Sequence, residues 1–119
     1  MATGLSASQA NTFLDLLDGS WIQLHVGDPG SAGTSNVATE TTRKQISLAN
    51  ASGGAVTSDA ALTWTGVAGT EDYTHYTLWS ASSAGTFRAS GLVTANAVTA
   101  GDSFTIASGD LDLSLTIAS

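Results

Sequence analysis

The sequence predicts an all-β fold, an antiparallel β-sandwich of Greek-key or jelly-roll-like type with one short N-terminal α-helix. Three observations carry that expectation. From Trp21 onward apolar and polar residues alternate, the period of a strand with one buried face. The alternating runs are short. Clusters of Gly, Ser and Asp separate them at intervals that suit antiparallel connections better than the long crossovers of a parallel α/β sheet. With 119 residues the chain is read as a single domain, 1–119, with the helix at about 6–18 and strands from about 20 to 117.

The helix is the only segment with a helical period. Ala10, Phe13, Leu14 and Leu17 fall on one stripe, Ser6 or Ser8 is suited to cap its start, and Gly19 to end it. Such a helix serves as a lid on the core or as an arm on a neighbouring subunit. In the first strand Ile22, Leu24 and Val26 share one face, and Trp21, Gln23 and His25 the other. Ile46 and Leu48 mark a second strand, Leu62 and Trp64 a third. Tyr76 and Leu78 mark a fourth, opposite His75, Thr77 and Trp79. A fifth runs from Phe87 to Val93 around Gly91, a sixth holds Phe104 and Ile106, and Leu111, Leu113, Leu115 and Ile117 give the cleanest alternation. Residues 27–36 form the longest stretch of turn formers, in which Pro29 presets one torsion, Gly30 accepts positive φ and Asp28 bonds nearby backbone. This is an exposed loop, suited to contact with a partner. Residues 50–54 and 81–85 are shorter hairpin connections.

Composition then narrows the function. Charged residues make up 11% of the chain, against about a quarter in an ordinary soluble protein. More than half of the positions are Ala, Ser, Thr or Gly, so the surface is hydroxyl-rich and suits contacts with other subunits. The net charge is −7 and the only adjacent bases are Arg43 and Lys44, which argues against binding nucleic acid. Cysteine is absent, removing disulfides and thiolate chemistry. Met1 to Gly4 lack the basic start of a signal peptide, and no apolar run reaches the length of a membrane span, so a soluble protein folding in a cytoplasm is expected.

No catalytic spacing stands out. Sixteen Ser, two His and ten acids permit many triads on paper, and no Gly-x-Ser-x-Gly elbow selects one. His25 and His75 lack the paired spacing of metal ligands and read as satisfied or solvent-facing imidazoles. Asp110 and Asp112 share a strand face but lack the oxygen-rich loop of a Ca²⁺ site, and Glu71 with Asp72 keep a turn in water. The Gly-rich segments lack the Lys and helix of a phosphate loop. The expectation is therefore no enzyme, no cofactor and no metal. Trp64 is expected in the core. Trp21 and Trp79, opposite their strands' aliphatic rows, are interface candidates together with Asp28, Pro29, Gly30 and the cations Arg43 and Lys44, which are expected to pair with acids of a partner.

The order of these elements resembles a family. The helix with Ala10-Asn11 and Leu14-Leu17, the run Ile22-Gln23-Leu24-His25-Val26-Gly27-Asp28-Pro29-Gly30, then Thr42-Arg43, Gly53-Gly54, Trp64, His75-Tyr76-Thr77-Leu78-Trp79-Ser80-Ala81, Gly85-Thr86-Phe87, Gly101-Asp102 and Ala107-Ser108-Gly109-Asp110-Leu111 are similar to small virion proteins of tailed bacteriophages, especially those of actinobacterial hosts. The strand-to-loop element around His25 and Asp28-Pro29-Gly30 is the most specific part; Val26 and Ser80 depart from the commoner pattern. The resemblance implies a β-sandwich labelled either as a head decoration (minor capsid) protein or as a tail-fibre or minor tail protein, with no catalytic residue to carry over. The leading expectation is a capsid decoration protein that cements the outer surface of the head as a homotrimer on the major capsid protein lattice, assembled in the host cytoplasm without nucleic-acid or membrane contact. One alternative is a tail-fibre or minor tail subunit. Another is a carbohydrate-binding module in which exposed Trp21 or Trp79 and Tyr73 or Tyr76 stack on sugar rings.

Overall fold

The structure, a computed structural model, describes residues 3–118, the side chains of residues 94–96 apart. One helix, α1 (Ala7–Asp15), precedes eight strands: β1 (Trp21–His25), β2 (Lys44–Gln45), β3 (Ala55–Thr57), β4 (Leu62–Trp64), β5 (Glu71–Trp79), β6 (Phe87–Val98), β7 (Phe104–Ile106) and β8 (Asp112–Ser114). β5 and β6 form a hairpin, β4 pairs with β7 around it, and β3 pairs with β8 outside those. Each antiparallel pair encloses the next along the chain, the wrapping of a jelly roll. β1 adds to β5 and β2 to β1, which gives one sheet ordered β2-β1-β5-β6 and two ribbons, β3-β8 and β4-β7. All three contribute to one hydrophobic core, with Ile22, Leu24, Tyr76 and Leu78 from the large sheet and Val56, Trp64, Phe104 and Ile106 from the ribbons. The fold is all-β and sandwich-like, as the alternation predicts. Among the described residues no helix is long and apolar enough to cross a membrane.

The aromatics that enter this core do not follow strict alternation along β5. The β5–β6 register shifts between Tyr73 and His75, where the three β6 residues 93–95 stand against Thr74 alone. Strict alternation would put Tyr73 on the face of His75. Tyr73 and Tyr76 nevertheless both lie in the core, 0% and 1% exposed. Tyr73 meets Phe104 edge-on at 4.9 Å, and Trp64 packs on the same ring at 5.9 Å while its indole N–H donates to the Thr42 carbonyl at 2.8 Å. Trp64 is thus a core residue, as expected. Gly91 lies under Tyr76, and a Cβ there would stand 2.6 Å from the phenol oxygen, so the close approach requires glycine.

The helix docks by its polar stripe. Ser6 caps it by accepting from the Gln9 amide, and it ends at Asp15, three residues short of the expected 18. The Asn11, Asp15 and Asp18 side chains, spaced along one side, accept from the amides of Gly54, Ala51 and Leu48. Those bonds orient α1 so that Ala10 and Leu14 are buried while Phe13 is 46% exposed, which corrects its assignment to the core stripe.

Strand limits shift for similar reasons. Ile46 and Leu48 are buried, yet the second strand is Lys44–Gln45, because the Leu48 amide bonds the Asp18 carboxylate rather than a strand. β3 was not anticipated. It follows a tight turn in which Gly53 and Gly54 both have positive φ and Ser52 and Ala55 exchange backbone bonds. The regular Leu111 to Ile117 series yields only the three-residue β8, since the Leu115 amide bonds Gly54 and Ile117 bridges Leu5.

Candidate functional site

The sheet face turned away from the core gathers most of the interface candidates. Register places Trp21 opposite Trp79, Gln23 opposite Thr77 and His25 opposite His75, and β6 continues these rows with Ser90 beside Thr77 and Leu92 beside His75. The second face is not simply solvated: Gln23, His25, Thr77 and Trp79 are buried. Two segments outside the sheet cover them.

The first cover is Arg43. Its Nε and Nη2 donate to Gln23 Oε1 at 3.3 and 3.2 Å, and its Nη1 donates to the carbonyls of Ala81 and Ala84 at 2.9 and 2.7 Å. The guanidinium lies 4.5 Å from the centre of the Trp79 ring, which packs at 5.5 Å on Phe87. One side chain therefore joins the strand β1, the indole and the tip of the β5–β6 hairpin. Only a flat five-donor fork does this, and lysine offers neither the plane nor the donors. Burial lowers the guanidinium pKa from its ordinary value. The tip itself is shaped by positive φ at Ala84 and Gly85, with the Thr86 amide donating to Ser80 Oγ.

The second cover is the loop of residues 27–36. Asp28 accepts from the Gly30 amide, Asn36 Nδ2 donates to the Asp28 carbonyl, and the Ser35 amide to the Pro29 carbonyl. Gly33, at φ +73°, sits against Phe87 so closely that a Cβ would stand 2.6 Å from its ring. His25 fastens the loop to the sheet. Its Nδ1 lies 2.8 Å from the Ser35 carbonyl, which only accepts, so Nδ1 carries the proton and donates. In the neutral ring Nε2 then accepts from the Thr77 hydroxyl at 2.9 Å, and Thr77 Oγ1 accepts from the Trp79 indole N–H at 2.7 Å. Every polar atom of that chain is satisfied with His25 neutral. Burial is the main reason its pKa lies below the ordinary 6.5; the backbone bonds at Ser35 and Asn36 oppose this, and His75 and Arg43 add to it.

The structure thus brings Trp21, Arg43, Trp79 and the loop carrying Asp28, Pro29 and Gly30 onto one side, and separates Lys44 from them. Lys44 stands opposite Ile22 in β2, whereas Arg43 reaches over the other face, because successive residues diverge. Asp28 and Gly30 are exposed, but Pro29 is buried, which corrects its place in a wholly exposed loop. Arg43 bonds amide and carbonyl oxygens, so its expected pairing with a partner's acids gives way to an internal role. The proposed sugar platform is also corrected. Tyr73 and Tyr76 are buried in the core, Trp79 is 8% exposed beneath Arg43, and Trp21 is half-buried. A cleft of about 300 Å³ over β3 and β8, lined by Asn50, Val56, Asp112 and Leu113 among others, carries no aromatic ring. Among the described residues no group of three His, Asp or Glu gathers to hold a metal.

Residues missed from sequence include Gln23 and Phe87, the floor and wall of the Arg43 site, and the acids Glu40 and Glu71. Glu71 accepts from the Thr39 amide at 2.7 Å and buried Glu40 from the Ala68 amide at 2.9 Å, pinning the strap that leads to Arg43. The one available signal was their rarity: acids placed in a Thr-rich connection of a charge-poor chain.

The second sheet face of this small jelly-roll-like sandwich is thus a surface of aromatic side chains and loop held in place by Arg43 and His25. The chain belongs to the Gp80 family, described as podophage GP4 fiber I protein gp80, whose family model matches residues 7–114. No curated protein matches the chain.

Proposed function

We propose that the chain is a fibre subunit of a podophage virion. This places the tail-fibre alternative ahead of capsid decoration, and the observation that carries it is the family match across nearly all of the chain. The geometry supports the same reading. Repeated subunits need surfaces that keep their shape before contact, since ordering a loop on binding costs affinity. Here the loop of residues 27–36 and the hairpin tip of residues 80–86 are already fixed, by His25 and Arg43. Few ionic groups limit the desolvation cost when such a face is covered. In this role the chain works without catalysis or cofactor, as a structural unit among other virion proteins. Gold-labelled antibody against the chain is expected to mark the fibres of intact particles. Labelling spread over the head would overturn the fibre reading in favour of decoration.

A further inference from the structure

The two edges of the large sheet are treated very differently. β2, at one edge, has two residues and one of them is Lys44, a short and charged edge that resists pairing. β6, at the other, runs from Phe87 to Val98, twelve residues or about 40 Å of strand at the usual rise. Among the described residues nothing pairs with its outer side. It has no Pro, no Lys and no acid, and its single charge, Arg88, is turned to Ser20 Oγ at 2.9 Å. Near its midpoint Leu92 is 73% exposed, the most exposed large apolar side chain among those described. Of the usual devices against edge pairing β6 lacks shortness, proline and lysine, and keeps only the irregularities at Arg88 and at residues 93–95, where extra β6 residues interrupt the register with β5.

We infer that the outer edge of β6 is an assembly surface that pairs antiparallel with β6 of a second copy of this chain. Three features select a second copy. Two-fold antiparallel pairing sets a residue opposite itself, and centring it on Leu92 places 87 opposite 97, with the regular run 89–91 facing residues 93–95 of the other copy. The two Leu92 side chains then meet on one face, at the spacing of a direct cross-strand pair. Charge agrees. The acids stop at Asp72 and resume at Asp102, the longest acid-free stretch of a chain with net charge −7, and β6 lies inside it. Two copies that repel elsewhere meet here without like charges. The pairing joins two four-stranded sheets into one of eight strands and leaves the loop and hairpin-tip surfaces free. It rests on the fibre reading for its purpose and on the strand edge for its geometry.

Sedimentation of the purified chain is expected to show a concentration-dependent dimer, and Leu92→Lys, at an exposed position, to weaken it at least tenfold with unchanged circular dichroism. Because the chain has no cysteine, Leu92→Cys introduces a unique thiol. A short thiol crosslinker is expected to trap it as a dimer, whereas Leu16→Cys, 68% exposed on the helix, stays monomeric. A chain that is monomeric throughout overturns the proposal. So does a trimer or dimer indifferent to Leu92→Lys, or equal crosslinking at the two sites. Fibre labelling with a monomeric chain removes the edge pairing alone; a Leu92-dependent dimer absent from fibres removes the fibre reading alone.

Discussion

Replacing Arg43 with Ala separates a structural guanidinium from a free surface charge. The change removes the stack on Trp79, worth about 0.5–2 kcal/mol depending on desolvation, and leaves Gln23 Oε1, buried on β1, without its donors at about 1–3 kcal/mol. The Ala81 and Ala84 carbonyls lie at the hairpin tip, where water replaces the lost bonds, so they add little. The expected loss is about 3 kcal/mol, roughly 10 °C in Tm for a chain of this size. Urea unfolding followed by tryptophan fluorescence, with calorimetry beside it, measures both. Arg43→Lys keeps the charge but not the fork or the plane, and is expected to recover less than half. Lys44→Ala, outside this network, is expected to cost under about 0.5 kcal/mol. If Arg43→Ala were as mild as Lys44→Ala, or Arg43→Lys fully wild-type, the internal role argued for this side chain would be wrong.

The buried histidine gives a pH dependence of defined sign. The folded state holds His25 neutral with its pKa below 6.5, while the unfolded chain binds a proton near 6.5, so this contribution to stability is full above that pH and is lost as pH falls below it. Urea midpoints measured downward from pH 7 should show the decline, and His25→Gln should flatten it; an unchanged slope would refute the assignment. Tyr73 and Tyr76, the only tyrosines, are both pushed up to about 12, chiefly by burial, so phenolate absorbance of the native protein should stay flat through pH 10 and appear there only on unfolding. Gly91→Ala forces a Cβ against the Tyr76 hydroxyl and is expected to cost about 1–3 kcal/mol in chemical denaturation, a cost that vanishes if the ring is not packed there. Tyr73→Phe removes a buried hydroxyl that has no hydrogen-bond partner among the described residues and should be neutral or stabilising in the same assay, contrary to the loss expected of a bonded one.

Local periodicity carried much of the fold. Ile22 with Leu24, and Tyr76 with Leu78, lie inward as alternation requires, and the turn chemistry of residues 81–85 marks a true hairpin tip. It failed where a non-local bond overrides a local pattern. Nothing in the residues around Tyr73 announces a bulge, because the register is set by β6. Phe13 fits a helical stripe, yet Asn11, Asp15 and Asp18 choose the docking side through amides thirty or more positions away. At the contact face, Trp21, Trp79, Arg43 and the Asp28-Pro29-Gly30 loop were legible as unusual residues, heavy or charged in a light and neutral chain. What they do was not. Arg43 read as a charge for a partner because its true acceptors, Gln23 and two carbonyls of the hairpin tip, are brought to it only by the strand order.

Cryo-electron microscopy of the intact virion tests the central claim most directly. The account expects density for this chain within a fibre, its loop of residues 27–36 and hairpin tip in the conformations held by His25 and Arg43, and neighbouring virion protein seated against that side. Density for the chain in the capsid shell, or in no part of the particle, would contradict it.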